Sequence, residues 1–144
     1  MSFSCDVNVL LCASDASSPV HDVARDFLRE AANGRDLFCL GWPTVMSYLR
    51  IATHPRIFSA PLSPAEALAN MESLAALPHV RLLSEETGFL DAYGEVAGTL
   101  PLRGNLVPDA HLAVLLRQHG VGTLYTRDGD FRKFDFLDVR NPFA

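Results

Sequence analysis

Ser2-Phe3-Ser4-Cys5-Asp6-Val7-Asn8-Val9-Leu10-Leu11 is a short apolar strand pattern that stops at an acid and continues at once as a helix. Phe3 to Asp6 reads as the strand and Val7 to about Ala13 as the helix, with Asp6 at the switch. The arrangement recurs twice. Asn105-Leu106-Val107-Pro108-Asp109-Ala110-His111-Leu112-Ala113 places Asp109 at the opening of a helix, and Gly122-Thr123-Leu124-Tyr125-Thr126-Arg127-Asp128-Gly129-Asp130-Phe131 places Asp128 just past a strand. Carboxylates beside apolar segments are costly to desolvate unless something pairs with them. Several converging on one spot raise one another's pKa, and a divalent cation is the usual remedy. The pattern points to a metal-dependent hydrolase.

Outward from these stretches, strand-like and helix-like segments alternate, the signature of an α/β fold with a central, mainly parallel sheet. An amphipathic helix is expected over Val20 to Ala32, stopped by Asn33-Gly34. Leu37-Phe38-Cys39-Leu40 suits a buried strand, and Pro43 opens a helix that ends before His54-Pro55. Ser63-Pro64-Ala65-Glu66 has the form of a capping box with proline at the first position, for a helix running to about Leu77. Val80 to Leu83 is the next strand, and Glu86 to Leu100 a helix interrupted by Gly88, Gly94 and Gly98. Pro108 to His119 is a helix ended by Gly120. Thr123 to Thr126 is a strand, Gly129 to Phe134 a turn or short helix, and Leu137 to Arg140 a last strand. With no internal repeat, linker or low-complexity segment, residues 1–144 are expected to form a single domain.

The chain has 144 residues, 49% of them apolar and 20% charged, as in ordinary globular proteins. No apolar stretch approaches the roughly 18–20 residues needed to cross a bilayer. The start of the chain lacks a basic segment followed by an apolar signal core, so a cytoplasmic location is expected. Cys5, Cys12 and Cys39 are widely spaced in apolar sequence and read as buried reduced thiols rather than zinc ligands. A net charge of −5 argues against a protein that coats nucleic acid nonspecifically. It leaves room for a nuclease, in which an acidic centre holds metal and a basic rim holds phosphates. Of the 12 basic residues all but Lys133 are arginine.

In open parallel sheets ligands collect beyond the carboxyl ends of the strands. Each acid also has a purely structural explanation. Asp6 is a candidate N-cap, Asp109 favours a helix dipole, and Asp128 suits an Asp-Gly turn. What those explanations leave over is the coincidence that all three fall on the same edge. Carboxylate oxygens suit Mg²⁺ or Mn²⁺, which activate water and stabilise the leaving oxygen in phosphodiester cleavage.

Asp6-Val7-Asn8-Val9-Leu10-Leu11 resembles the opening D-x-N-[VI]-L-[IL] motif of the PIN-domain family. Val107 to Ala113 resembles its third acidic motif, and Tyr125 to Phe131 its closing T-x-D-x-D-F segment. Three motifs in order over the whole chain, with the terminal Asn141-Pro142-Phe143, are similar to the stand-alone form, the toxin component of VapBC toxin–antitoxin pairs. The resemblance implies a three-layer α/β/α sandwich and a Mg²⁺- or Mn²⁺-dependent endoribonuclease. It also implies a homodimer and a small antitoxin protein that inserts a segment in the active site. Residue by residue it implies that Asp6, Asp109 and Asp128 hold the metal and that Asp130 is a fourth catalytic acid acting through water. Asn8 matches the polar residue that buttresses Asp6 and is a candidate substrate contact, as are Arg50 and Arg56. One feature departs from the family. PIN nucleases place a glutamate early in the helix after the second strand, where this chain has Ser47 or Tyr48. Either the metal takes more water there, or an acid such as Glu86 or Glu95 approaches from another helix.

Arg103, Arg127 and Arg132 also flank the acidic motifs and join the candidate rim. His54 reads as a loop histidine, and His111 and His119 lack a third ligand for zinc. Val45, Met46, Tyr48, Leu49, Ile51 and Phe58 exceed what one helix face buries and are expected to supply a subunit contact. A degenerate PIN fold that binds antitoxin or RNA without cleaving is the alternative. A phosphoacceptor domain fits poorly, since no lysine precedes Lys133 and the first strand ends in Asp-Val-Asn.

Overall fold

The computed structural model describes residues 1–144. Its five strands are β1 (Ser2–Cys5), β2 (Leu37–Gly41), β3 (Val80–Leu83), β4 (Thr123–Tyr125) and β5 (Asp138–Arg140). They form one sheet in the order β3-β2-β1-β4-β5, with every pairing parallel. The chain builds outward from β1 through β2 to β3, then returns to the other side of β1 for β4 and β5. The strand order therefore reverses between β1 and β4, the place where open α/β sheets leave a crevice. Cys5 pairs with Tyr125 across that seam, so the residues immediately after each, Asp6 and Thr126, emerge side by side.

The helices are α1 (Val7–Ser14), α2 (His21–Asn33), α3 (Trp42–Ala52), α4 (Pro64–Ala75), α5 (Phe89–Ala97) and α6 (Leu106–Gln118), with a 3₁₀ turn over Gly129–Lys133. Strand alternation sends side chains to two separate cores. Phe38 and Leu40 of β2 pack with Val9, Leu10, Val45, Tyr48 and Met71 under α1 to α4. Cys39 of the same strand points the other way, into a core of α6, β4, β5 and the 3₁₀ turn that contains Leu112, Leu116, Leu124, Phe131 and Phe134. A sheet with a core on each face is the α/β/α sandwich expected from the sequence.

The element boundaries move for local reasons. The α4 helix opens with the expected capping box, Ser63 N–H donating to Glu66 Oε1 at 3.1 Å and Glu66 N–H to Ser63 Oγ at 3.1 Å. The α5 helix is shorter than Glu86 to Leu100, because Gly88 adopts φ +83°, a left-handed conformation that breaks the helix before Phe89. The α6 helix begins two residues before Pro108, whose missing N–H costs nothing in a first turn. Asp109 stays in that turn.

The apolar surplus around α3 mostly finds a home inside the molecule. Val45, Tyr48 and Phe58 are buried and Leu49 and Ile51 half-buried, so of the residues expected at a subunit contact only Met46 is widely exposed. No helix is long and apolar enough to cross a membrane.

Candidate metal centre

Asp6 follows the last residue of β1, and its backbone N–H still bonds to the Tyr125 carbonyl at 2.9 Å. It caps α1. Oδ1 accepts from Val7 N–H at 2.7 Å, and Oδ2 accepts from the Asn8 amide at 3.3 Å and from the Thr126 hydroxyl at 3.1 Å. Burial pushes its pKa above the ordinary value, the bonds from Val7 and Thr126 pull it back, and the charge of Asp128 pushes it up again.

Thr126 is the hub of a small network. Its Oγ donates to Asp6 and accepts from Asn8 Nδ2 at 3.0 Å and from Asp128 N–H at 3.0 Å. One donor and two lone pairs are thus all in use. Asn8 faces inward, its amide nitrogen committed to Asp6 and Thr126, which is the geometry of a buttress. Its Oδ1 is buried without a partner.

Asp128 caps the 3₁₀ turn, Oδ1 accepting from Asp130 N–H at 2.9 Å. Asp109 reaches the same place from the first turn of α6. Its pKa is raised to about 6, first by burial and then by the charges of Asp128, Asp6 and Asp130, with Lys133 acting in the opposite sense. Carboxylate oxygens of Asp109, Asp128 and Asp130 lie within 4.8 Å of one another. Two oxygens on opposite sides of one Mg²⁺ stand about 4.2 Å apart, twice the metal–oxygen distance. The donor set therefore fits a hard divalent cation with small side-chain adjustments, and the mutual repulsion of its charges is what such an ion relieves.

The grouping differs in one member from the expected Asp6, Asp109 and Asp128. Asp130 joins the close cluster, while Asp6, with both oxygens hydrogen-bonded inward, lies outside it; the charge of Asp6 acts on Asp109, and that of Asp128 acts on Asp6. Of the two positions expected to carry a glutamate, Ser47 is half-buried and Tyr48 turns away. Tyr48 is fully buried, its hydroxyl 2.7 Å from Ser14 Oγ and 3.0 Å from Asn70 Nδ2. Ser14 ends α1, eight residues or about 12 Å along the helix from Asp6. Glu86 does not substitute either: it lies 3.5 Å from His119 and its N–H bonds to Gln118, at the end of α6 remote from Asp109. Glu95 is exposed and absent from the cluster.

The histidines hold loops rather than a metal. His111 bonds to Glu85 and His119 to the Ser84 carbonyl, tying the β3–α5 loop to α6. His54 accepts from Arg56 N–H in its own turn. Among the rim candidates, Arg132 donates to the Val139 carbonyl and so braces β5. Arg50 and Arg56 are exposed, and the cation whose charge reaches Asp109 is Lys133 instead. Sequence reasoning assigned no role to Thr126 or Lys133. The threonine two residues before an acid at a strand end, where its hydroxyl can meet the backbone N–H of that acid, was a signal for the first.

Residues 5–137 match the PIN domain family. The chain belongs to that family. It is 44% identical to ribonuclease VapC48 of Mycobacterium tuberculosis, over 100% of this chain and 99% of that protein. Its fold is similar to a crystal structure of VapBC2 from Rickettsia felis bound to a promoter DNA fragment, with TM-score 0.70 at 14% identity over 98% of each chain. It is also similar to VapC20 of Mycobacterium tuberculosis, a sarcin–ricin loop cleaving toxin, with TM-score 0.68 at 19% identity over 96% of this chain and 98% of that one.

Proposed function

We propose that this PIN domain is a Mg²⁺- or Mn²⁺-dependent endoribonuclease that acts as the toxin of a toxin–antitoxin pair. The observation that carries the reading is the convergence of Asp109, Asp128 and Asp130 within one ion's span, in a chain 44% identical over its whole length to a VapC ribonuclease. Asp109, Asp128 and Asp130 hold the ion, and Asp6 completes the set directly or through water. Bound there, a divalent ion supplies Lewis acidity toward a phosphoryl oxygen and lowers the pKa of water. The chain's own residues do the positioning. Thr126 and Asn8 fix the Asp6 carboxylate, and the 3₁₀ turn fixes Asp128 against Asp130. Arg127, exposed between Thr126 and Asp128, is a candidate contact for an RNA phosphate, as are the exposed Arg50 and Arg56.

The partner in this reading is a small antitoxin that inserts a basic side chain among the carboxylates. A site in which burial and then the neighbouring carboxylates raise the pKa of Asp109 to about 6 is neutralised by an arginine much as by an ion. Trp42 and Met46, exposed and four residues apart on α3, are the proposed self-association surface of a homodimer. Three free buried thiols suit a reducing cytoplasm. The test is incubation of the partner-free protein with structured RNAs, with and without Mg²⁺ or Mn²⁺, beside Asp6→Ala. Cleavage that needs the metal and is lost in the variant is expected. RNA binding without cleavage would instead favour a degenerate fold, a reading to which the lack of an acid at Ser47 and Tyr48 lends weight.

A further inference from the structure

The 3₁₀ turn after Asp128 sorts its side chains by threes. At three residues per turn, Phe131 and Phe134 fall on one side, where both are buried, and Asp130 and Lys133 fall on another. The only lysine of the chain is thereby held over the carboxylates. Its Nζ stands 3.8 Å from Asp130 Oδ1, and its charge favours the ionised form of Asp109. Several other cations are committed elsewhere: Arg29 pairs with Asp26, Arg140 with Asp138, Arg132 bonds to the Val139 carbonyl, and Arg117 lies over the Phe136 ring.

The Lys133–Asp130 contact is long, and its two side chains are 54% and 64% exposed, so little energy holds it. An ammonium on a four-carbon stem is also a mobile point charge, well suited to phosphate. We propose that Lys133 is an exchangeable cation: it rests on Asp130 while the carboxylates are metal-free, and turns to a phosphate of bound RNA once a divalent ion takes them. This inference rests on the ribonuclease reading. A divalent ion approaches carboxylate oxygens more closely, at about 2.0–2.6 Å, and with twice the charge. Lysine and ion compete for Asp130, and the displaced ammonium remains one side-chain length from the site. The nearest anion left for it is then the phosphodiester that the ion attracts.

Titration calorimetry with Mn²⁺ alone, and anisotropy of a labelled RNA oligonucleotide in Ca²⁺ across a salt series, test this on wild type, Lys133→Met and Lys133→Arg. Lys133→Met is expected to bind Mn²⁺ about three- to tenfold tighter, because a competing charge near the ion is gone. The same variant is expected to bind RNA more weakly, with the slope of log affinity against log salt shallower by about 0.7, one phosphate contact to a single strand. Lys133→Arg keeps both close to wild type. A lysine that only supports the turn would alter melting temperature without moving the two affinities in opposite directions. Unchanged Mn²⁺ affinity or an unchanged salt slope in Lys133→Met overturns the proposal. A wild-type protein that binds no RNA overturns both this proposal and the ribonuclease reading. RNA bound but never cut overturns the ribonuclease reading alone, and opposite shifts of the two affinities in Lys133→Met then still support the exchange.

Discussion

Asp6 and Asp109 sit across one crevice, and their surroundings treat them in opposite ways. Asp6 is deeply placed and held by Val7, Asn8 and Thr126, so its geometry is set before any ligand arrives. Asp109 makes no side-chain hydrogen bond, and its pKa rises to about 6, first through burial and then under the charges of three other aspartates. The first is a fixed reference, the second a group waiting for a counter-ion. The same division runs through the two cores. The side built from α1 to α4 brings one acid to the crevice and buries Tyr48, one of the two places expected for another. The side built from α6, β4 and the 3₁₀ turn brings three. A site assembled this way is positioned by one half of the fold and charged by the other.

The sharpest way to break this comparison is to remove the charged half. Asp128→Asn and Asp109→Asn are each expected to lower RNA cleavage by about 10³-fold, comparable to losing a principal electrostatic group in an active site. Initial rates under saturating Mn²⁺ would read it, with circular dichroism to show intact folding. On the sealed side the expected cost is to stability. Tyr48→Glu places a carboxylate in a wholly buried position, and should destabilise by about 3–5 kcal/mol without tightening Mn²⁺. A variant that melted like wild type and bound Mn²⁺ better would show that α3 does face the metal.

Cutting the link between the halves should have an intermediate effect. Thr126→Val removes the hydroxyl joining Asp6, Asn8 and Asp128 while keeping the shape of the side chain, and a 10- to 100-fold loss of metal affinity is expected, about that of other outer-shell partners. Thr126→Ser should recover most of it. The smallest effect is in pH. In the metal-free protein Asp109 holds its proton up to about pH 6, whereas in the unfolded chain it loses it near 3.9. The folded state therefore binds more protons between these values, and stability falls as pH rises from about 4 to 6. Thermal melts at pH 5 and pH 7.5 should show the metal-free protein losing stability toward pH 7.5, and Mn²⁺ restoring it mainly there. A melting temperature indifferent to both would mean that Asp109 is not under strain.

Much of this was legible in the chain itself. The strand-to-helix switch at Asp6, the placing of Asp109 in the first turn of a helix and the capping box at Ser63 are local patterns, governed by a few adjacent residues, and all three appear as expected. What local reading could not supply is which side chains meet across the fold. Asp130 is expected from the sequence to act only through water, because nothing in its neighbours reveals that the 3₁₀ turn swings it against Asp128. Tyr48 lay open as a substitute for the missing acid because its partners, Ser14 and Asn70, are 34 and 22 residues away in sequence. Lys133 was only a number in the composition until the turn placed it over the carboxylates.

The central claim is that the carboxylates on the α6 side of the crevice are a divalent-ion site, with Asp128 linked to every other member. Calorimetric titration of Mn²⁺ into the wild-type protein and Asp128→Asn at pH 7.5 tests it most directly. The account predicts a saturable site in the wild type and at least a tenfold loss of affinity in the variant, since one charged oxygen ligand is gone. Equal affinities in the two proteins, or no saturable binding in the wild type, would contradict it.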